Sequence, residues 1–479
     1  MKKSILFFIL ILFGLKVNAQ EQQAWTLQEC IEHAMEHNIS IKQSELDLEM
    51  TEIDKNMAIG NYLPGINGFA TNSWNTGLTQ NVTTGVLQNQ TTRNFSAGVT
   101  LDLTLFSGLR NLRQLQRAKL SGLAAQYSLE QMQDDIALFV ANSYLQVLVN
   151  KETLKVLEEQ HLVTLDQLDR TQKLVDQGVA PQGDLLQIKA LSAEEEQQII
   201  TAENAVHLSL VSLAQTLLIE DYENFDIAER EYEVRPNAIM SRSVDEIIKF
   251  AMEERAEVKI AEKNVELAQK DVQISRAAYY PTLSGFFNYN TRESGAERIT
   301  QGEIDPDFPS RPIGYVESTG EVVVAPNFKV NTLPPLPFFE QLYMFDGISY
   351  GFQLNVPIFN GLSTRNTVKR QKVNVMRAEY QLEQAKLDLE SNVYQAFVDA
   401  KGAAKAYDAA KVALEAQQLA FKYAQERYDV GLTNAFELRQ AQFELTNSES
   451  KLIQAKYDYI FKVKVLELYF GVPVDQIRL

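Results

Sequence analysis

One cysteine, Cys30, is all the chain contains, so no disulfide can form within it. Long apolar runs are equally scarce. The one that stands out, Ile5–Leu15, falls well short of the ~20 residues a membrane-crossing helix needs. No later stretch replaces it, which excludes helical membrane spanning. Positive charge is in deficit, with 45 Lys and Arg against 63 Asp and Glu and a formal net charge of −18. Such a chain lacks the basic face that nucleic acid requires. It also lacks a nucleophile–base arrangement and a phosphate-cradling glycine loop, and carboxylates scattered on solvated helices make no acid/base site. Neither enzyme activity nor a cofactor is expected.

Proline is absent from two long windows, between Pro64 and Pro181 and between Pro357 and Pro473, while seven of the 13 prolines crowd into residues 293–347. Proline breaks helix interiors, so the two empty windows can house very long helices.

What the chain does have begins with Lys2 and Lys3 ahead of the apolar run, followed by Val17-Asn18-Ala19. This predicts a secretory signal peptide over residues 1–19 rather than an anchor. Cleavage leaves Gln20 first, with no cysteine there for lipid attachment, and the loss of three lysines takes the formal charge from −18 to −21.

The mature sequence matches itself. Thr26–Pro64 lies on Ser243–Pro281 at a shift of 217, aligning Glu29 with Glu246, Ala34 with Ala251 and Tyr62 with Tyr279. Gly98–Leu218 lies on Gly351–Gly471 at a shift of 253, aligning Phe106 with Phe359, Gly108 with Gly361, Arg117 with Arg370, Tyr127 with Tyr380 and Gly178 with Gly431. The protein is a duplicated unit, and its second copy carries one insertion between Pro281 and Gly351. Residues 20–240 form the first repeat and 241–479 the second.

Within each repeat the period changes. Residues 108–176 and 361–429 are rich in good helix formers, with apolar positions three and four apart, as in Ile136, Val140, Tyr144 and Val147. A helix of that size is ~100 Å long, which suits a coiled-coil assembly. Turns come next at 177–183 and 430–436, and shorter helices are expected at Leu27–Tyr62, Leu185–Leu218, Val244–Tyr279 and Leu438–Phe470. Glu220–Arg242 reads as an irregular side structure.

Residues 95–106 and 348–358 instead alternate. Phe95, Ala97, Val99, Leu101 and Leu103 interleave with Ser96, Gly98, Thr100, Asp102 and Thr104, and Tyr350, Phe352 and Leu354 interleave with Gly351, Gln353 and Asn355. About ten residues of period two is the pattern of a membrane barrel strand, apolar toward lipid and polar toward the lumen. Partner strands are expected at 66–76 and 283–292, with loops at about 76–94 and 293–347. Trp74, Tyr289 and Tyr350 fit an interfacial aromatic belt. The competing reading, a soluble hairpin on a helical bundle, would bury a face of small polar residues to no purpose. Four strands cannot close in lipid, so copies must combine. Two copies give eight strands and a filled interior, whereas three give twelve and room for a lumen.

Leu27-Gln28-Glu29-Cys30-Ile31-Glu32-His33-Ala34 opens the first repeat, Tyr62-Leu63-Pro64 precedes the first strand, Val356-Pro357-Ile358-Phe359-Asn360-Gly361 joins strand to long helix, and Tyr428-Asp429-Val430-Gly431 reaches the tip. In order and spacing this resembles the TolC-like outer membrane efflux proteins. The resemblance implies a mainly α fold with a transmembrane β part: a homotrimer with a twelve-stranded barrel in outer membrane lipid and a coiled-coil α-helical barrel in the periplasm of a Gram-negative bacterium. It further implies an exit duct for efflux or type I secretion, reached through a periplasmic adaptor from an inner-membrane pump or exporter. Tips at Gly178 and Gly431 would meet the adaptor, and Asp184, Tyr428, Glu437 and Gln440 would narrow the periplasmic entrance. Gln440 stands where an acidic residue is common in that family, and Thr433 where a basic one occurs. Asp102, Thr104, Gln353 and Asn355 are the candidate barrel-lumen residues.

Cys30, His33 and His37 share a helical face with metal-ligand spacing, but their counterparts in the other repeat are Ile247, Phe250 and Glu254. Two of the three positions are therefore apolar sites, and no metal is expected. The alternative to a channel is a periplasmic coiled-coil protein with no pore. A single-chain porin fails on strand count.

Overall fold

The computed structural model describes residues 24–80, 87–229 and 238–472. The expected signal peptide, Pro236 and the last seven residues lie outside these. The chain divides into two compact units, each drawing on both halves: Met1–Ile53, Lys119–Ala268 and Val373–Leu479 make one, Asp54–Ala118 and Gln269–Lys372 the other.

In chain order the elements are α1 (Leu27–His37), α2 (Ile39–Gly60), β1 (Gly65–Gln80), β2 (Leu87–Ser107), α3 (Arg110–Asp176) and α4 (Gln182–Leu217). Then come α5 (Val244–Glu254), α6 (Ala256–Arg276), β3 (Thr282–Ser294), β4 (Arg298–Ile304), β5 (Ser310–Tyr315), β6 (Val322–Pro326), β7 (Phe328–Leu333) and α7 (Phe338–Met344). The chain ends with β8 (Gly347–Asn355), α8 (Ser363–Asp429) and α9 (Ala435–Tyr469). The two proline-free windows thus each yield a 67-residue helix.

Where the sequence predicts one helix over 27–62 and another over 244–279, the structure has two in each place. The break falls at Asn38 and at Arg255, positions related by the same shift of 217, and both residues are extended. Each break has a cap on the helix before it. Thr26 accepts from the backbone of Glu29 while Glu29 reaches back to Thr26 at 2.8 Å, and Ser243 accepts from the backbone of Glu246.

The helical unit holds two apolar clusters. One gathers Leu27, Cys30, Ile31 and Ala34 of α1 with Val140, Tyr144 and Val147 of α3 and Leu213 of α4. The other gathers Ile247 and Ala251 of α5 with Val393 and Ala400 of α8 and Leu466 of α9. These are repeat-equivalent positions, so the duplicated sequence packs as a duplicated core. Cys30 occupies the slot that Ile247 fills in the other copy; burial pushes its thiol up to about 12. His33 and His37 stack ring on ring at 4.1 Å.

In the other unit β1, β2, β3 and β8 form one antiparallel sheet in that order. The first hairpin is longer than its sequence suggests. β1 runs to Gln80 and β2 starts at Leu87, so most of the expected 76–94 loop is paired strand. Its residues are polar on both faces there, as at Thr76 and Thr91, whose hydroxyls bond at 2.8 Å, and no alternation marks them. The expected 293–347 loop is also corrected. It folds into two small antiparallel pairs, β4 with β7 and β5 with β6, and then α7. Proline is tolerated because these are two-stranded ribbons whose outer edges need no donor. Thr291 Oγ1 donates to the Leu342 carbonyl at 2.6 Å and Gln341 Oε1 accepts from the Ser294 backbone, tying α7 to β3.

The strand-to-helix corners repeat as well. Gly108 and Leu109 both have positive φ, as do Gly361 and Leu362. Two left-handed residues in succession turn the chain sharply from sheet to helix, and Leu pays a steric penalty there that only the surrounding packing can hold.

Candidate functional site

The four-stranded sheet has two chemically distinct faces. Reading across β1, β2, β3 and β8, one row is Ile66, Leu101, Phe287 and Tyr350 and the next is Gly68, Val99, Tyr289 and Ile348. The rows that alternate with them are Asn67, Thr100, Asn288 and Ser349, and Gly65, Asp102, Phe286 and Gly351. Side chains alternate along a strand, so the first set shares one face and the second the other. Phe352 and Leu354 continue the apolar face and, with Tyr350 and Trp74, are exposed.

All four lumen candidates fall on the polar face. Asp102 is in the row just given, Thr104 and Gln353 flank Ser284, and Asn355 pairs with Thr282. A bulge between Thr104 and Phe106 then returns Phe106 to the apolar side, opposite Leu283. Sequence reasoning missed the two aromatic rings on the polar face. Phe69 lies over Gly98 and Phe286 over Gly351, each so close that a Cβ on the glycine would sit about 3 Å from the ring. Both pairs are repeat-equivalent. Ring over glycine fills the gap left by the missing side chain and fixes register.

The outer strands β1 and β8 each have one neighbour in the sheet. Their far edges carry unpaired backbone donors and acceptors. The apolar face spans Ile66 to Trp74 on β1, about the length that crosses a bilayer as a tilted strand. At its end, Arg93 lies opposite Trp74 and pairs with Glu293 at 2.6 Å.

In the helical unit the two hairpin tips are built alike. Gly178 (φ +74°) donates to the Val175 carbonyl and Val179 to that of Leu174; Gly431 (φ +76°) donates to Tyr428 and Leu432 to Arg427. This double closure demands a left-handed residue, hence glycine. The tips differ in how the outgoing helix starts. Pro181 precedes α4 without a side-chain cap, while Asn434 caps α9 by accepting from the Glu437 backbone at 3.0 Å.

Asp184 and Glu437 each stand in the first turn of the helix leaving a tip, where a carboxylate is favoured by the helix dipole. The Glu437 carboxylate accepts from the Thr433 hydroxyl within its own turn. Tyr428 is half-buried in a narrow gap against Ile188, Leu191 and Leu438. Gln440 borders a larger cleft of about 410 Å³ whose walls include Leu157, Leu191, Phe436 and Phe443. Among the described residues no hydrogen bond joins any two of these four. What unites them is position at one end of the paired hairpins.

Above the tips lies a polar cluster the repeat gave no hint of. Thr164 Oγ1 of α3 donates to Glu195 Oε1 of α4 at 2.9 Å, His161 Nδ1 is 3.2 Å from Glu195 Oε2, and Gln442 Nε2 of α9 donates to Thr164 at 2.9 Å. Burial raises the Glu195 carboxyl above the usual carboxylate range, against the pull of Thr164 and His161. The counterparts of these residues in the other copy are Gln417, Ser448, Leu414 and Lys189.

The model of the outer membrane efflux protein family matches residues 30–217 and again 247–472, once per repeat. The chain belongs to the outer membrane efflux protein family. It is thus an outer membrane protein, and its mainly α fold with a β part is the fold of that family's channels. It is 22% identical over 357 residues to the outer membrane protein TolC of Vibrio cholerae, covering 72% of this chain and 69% of that one. It is 28% identical over 211 residues to the pyoverdine export outer membrane protein OpmQ of Pseudomonas aeruginosa, 41% of this chain and 40% of that one. The crystal structure of the Campylobacter jejuni CmeC outer membrane channel superposes with a TM-score of 0.73 at 16% identity, over 93% of this chain and 85% of that one.

Proposed function

We propose that three copies of this chain close their sheets into one twelve-stranded barrel in the outer membrane, and that their long helices wall a periplasmic conduit. Substrates enter from an inner-membrane pump or exporter through a periplasmic adaptor, and the channel conducts them outward without chemistry of its own. The supporting observation is a sheet with one apolar and one polar face, bounded on both sides by strands with a free edge. Open edges do not survive in lipid, so the sheet must close on other copies. Eight strands would leave an interior filled by side chains; twelve leave a lumen. A periplasmic stalk without a pore has no use for the exposed apolar row of Ile66, Phe287, Tyr350 and Phe352.

In this reading Asp102, Thr104, Gln353 and Asn355 line the barrel, and the tips at Gly178 and Gly431 receive the adaptor. Asp184, Tyr428, Glu437 and Gln440 ring the entrance, where carboxylates favour cations over anions. The test is migration of the detergent-extracted protein as a heat-modifiable trimer, together with single-channel conductance in planar bilayers. A water-soluble monomer without conductance overturns the proposal.

A further inference from the structure

The apolar face of the sheet is not bare at the end opposite the strand-to-helix corners. β8 starts at Gly347, opposite Asn290, so the last residues of β3 have no partner on that side. There α7, the helix that leads into β8, takes over. Its Gln341 side chain is 3% exposed; it accepts from the Ser294 backbone N–H at 3.0 Å and donates to the Ser294 carbonyl at 3.1 Å. One side-chain amide thus satisfies both backbone groups of that residue, as a neighbouring strand would.

Three further contacts fix the side of the sheet on which α7 lies. The Thr291 hydroxyl donates to the Leu342 carbonyl at 2.6 Å, the Phe338 ring meets the Phe95 ring edge-on at 5.1 Å, and the Arg93 guanidinium stands 5.6 Å from the centre of the Phe338 ring. In the register of the sheet Ala70, Ala97 and Thr291 form one row, Asn72, Phe95 and Glu293 the next, and Trp74 and Arg93 a third. These rows alternate in step with Leu101, Val99 and Tyr289, so α7 packs on the apolar face and not on the polar one. The Arg93–Glu293 ion pair lies on that face too, where charge toward hydrocarbon is costly, and Phe338 covers the guanidinium. Away from the sheet α7 turns Phe339, 71% exposed, and Tyr343, 84% exposed, one turn apart on the same side, with Met344 beside them. Past this level the first hairpin is polar on both faces, as at Thr76 and Thr91, so the apolar band ends here.

We infer that α7 is an interfacial helix whose partner is the lipid of the outer leaflet. Phe339, Tyr343 and Met344 enter the boundary between acyl chains and headgroups, while Phe338 seals the Arg93–Glu293 pair from it. The occupant is lipid because this surface continues the apolar face of the sheet and carries the aromatic side chains that settle at a membrane–water boundary. A neighbouring copy would join at a strand edge, in the plane of the sheet, whereas α7 lies over its face. A helix facing water would gain nothing from two exposed aromatic rings one turn apart.

The inference rests on the membrane barrel reading, and the experiment separates the two. Trp25→Phe and Trp74→Phe remove the two tryptophans of the full-length protein. A single reporter is then introduced by Tyr343→Trp or Phe339→Trp on α7, or by Phe287→Trp on the apolar face of the sheet. Each variant is reconstituted in phosphatidylcholine vesicles, plain or with acyl chains brominated near the headgroup or near the methyl end, and iodide serves as the aqueous quencher. Both α7 reporters lose most emission to lipid brominated near the headgroup, less to lipid brominated near the methyl end and least to iodide. Quenching of Phe287→Trp by brominated lipid, with both α7 reporters answering to iodide alone, overturns the helix assignment and leaves the barrel standing. Reporters on α7 that answer to neither lipid nor iodide are covered by protein, which overturns it equally. Absence of lipid quenching at all three positions overturns the barrel reading as well.

Discussion

Asn38 and Arg255 occupy the same place in the two repeats, and each interrupts its helix with the same extended backbone. What satisfies the break differs. Asn38 closes it with its amide, accepting from the Ser40 backbone at 2.9 Å and donating to the Thr216 carbonyl at 3.2 Å. Arg255 brings a buried guanidinium, paired with Asp134 at 2.8 Å and with both oxygens of Glu257, over the Tyr469 ring. The repeat-equivalents of Asp134 and Glu257 are Leu387 and Ser40. The duplicated backbone therefore tolerates two unrelated chemistries at one break. Burial draws the Asp134 and Asp135 carboxyls upward beside Arg255.

The sharpest way to break this comparison is to truncate both residues. Arg255→Ala strands two partly buried carboxylates and is expected to cost about 3 kcal/mol. Asn38→Ala loses a cap and a neutral hydrogen bond and should cost about 1 kcal/mol. Thermal unfolding in detergent reads both; equal losses would mean that the guanidinium network adds nothing to the break.

The two strand-to-helix corners extend the comparison. Gly108→Ala meets both a left-handed backbone and the Ala277 carbonyl, with an expected loss of about 2 kcal/mol. Gly361→Ala meets only the backbone in a single chain, at about 1 kcal/mol. Thermal unfolding of the two variants checks this; equal losses would mean that the left-handed backbone alone sets the cost at both corners.

At the tips, Asp184→Ala and Glu437→Ala are expected to raise single-channel conductance and weaken cation preference in planar bilayers. Conductance unchanged in both would remove these carboxylates from the aperture.

The smallest effect is expected at Glu195. Its carboxyl is raised in the fold, so its contribution is fully present below the usual carboxylate range and is lost as pH rises through the raised value. Glu195→Gln stays neutral, and the unfolding midpoint should fall less between about pH 4 and pH 8 than in the parent. An unaltered slope would assign the pH response to Asp134 and Asp135 instead.

Much of this architecture was legible in the residues. Proline-free windows located α3 and α8, period-two alternation located the second strand of each hairpin, and glycine after the last helical residue located both tips. These signals are local: each depends on what one stretch of backbone can or cannot do. The helix breaks at Asn38 and Arg255 were not legible, because neither residue is a helix breaker and the reason lies in partners far along the chain. The outer half of the first hairpin escaped for a related cause, since Thr76 pairs with Thr91 where both faces are polar and no alternation survives. The insertion hid its strands behind proline, which a two-stranded ribbon accepts. The Glu195 cluster lies on three helices and in one repeat only, so neither spacing nor duplication announced it.

The amino-acid order alone thus determined the duplication, the long helices, the alternating strands and the turn glycines, because period and backbone permission are written residue by residue. Tertiary structure decided the order of strands in the sheet, which edges stay free, where each helix breaks and which buried charges meet. Those depend on the burial of groups distant in sequence, and the free energy of a buried carboxylate or an unpaired strand edge exists only once its surroundings are in place.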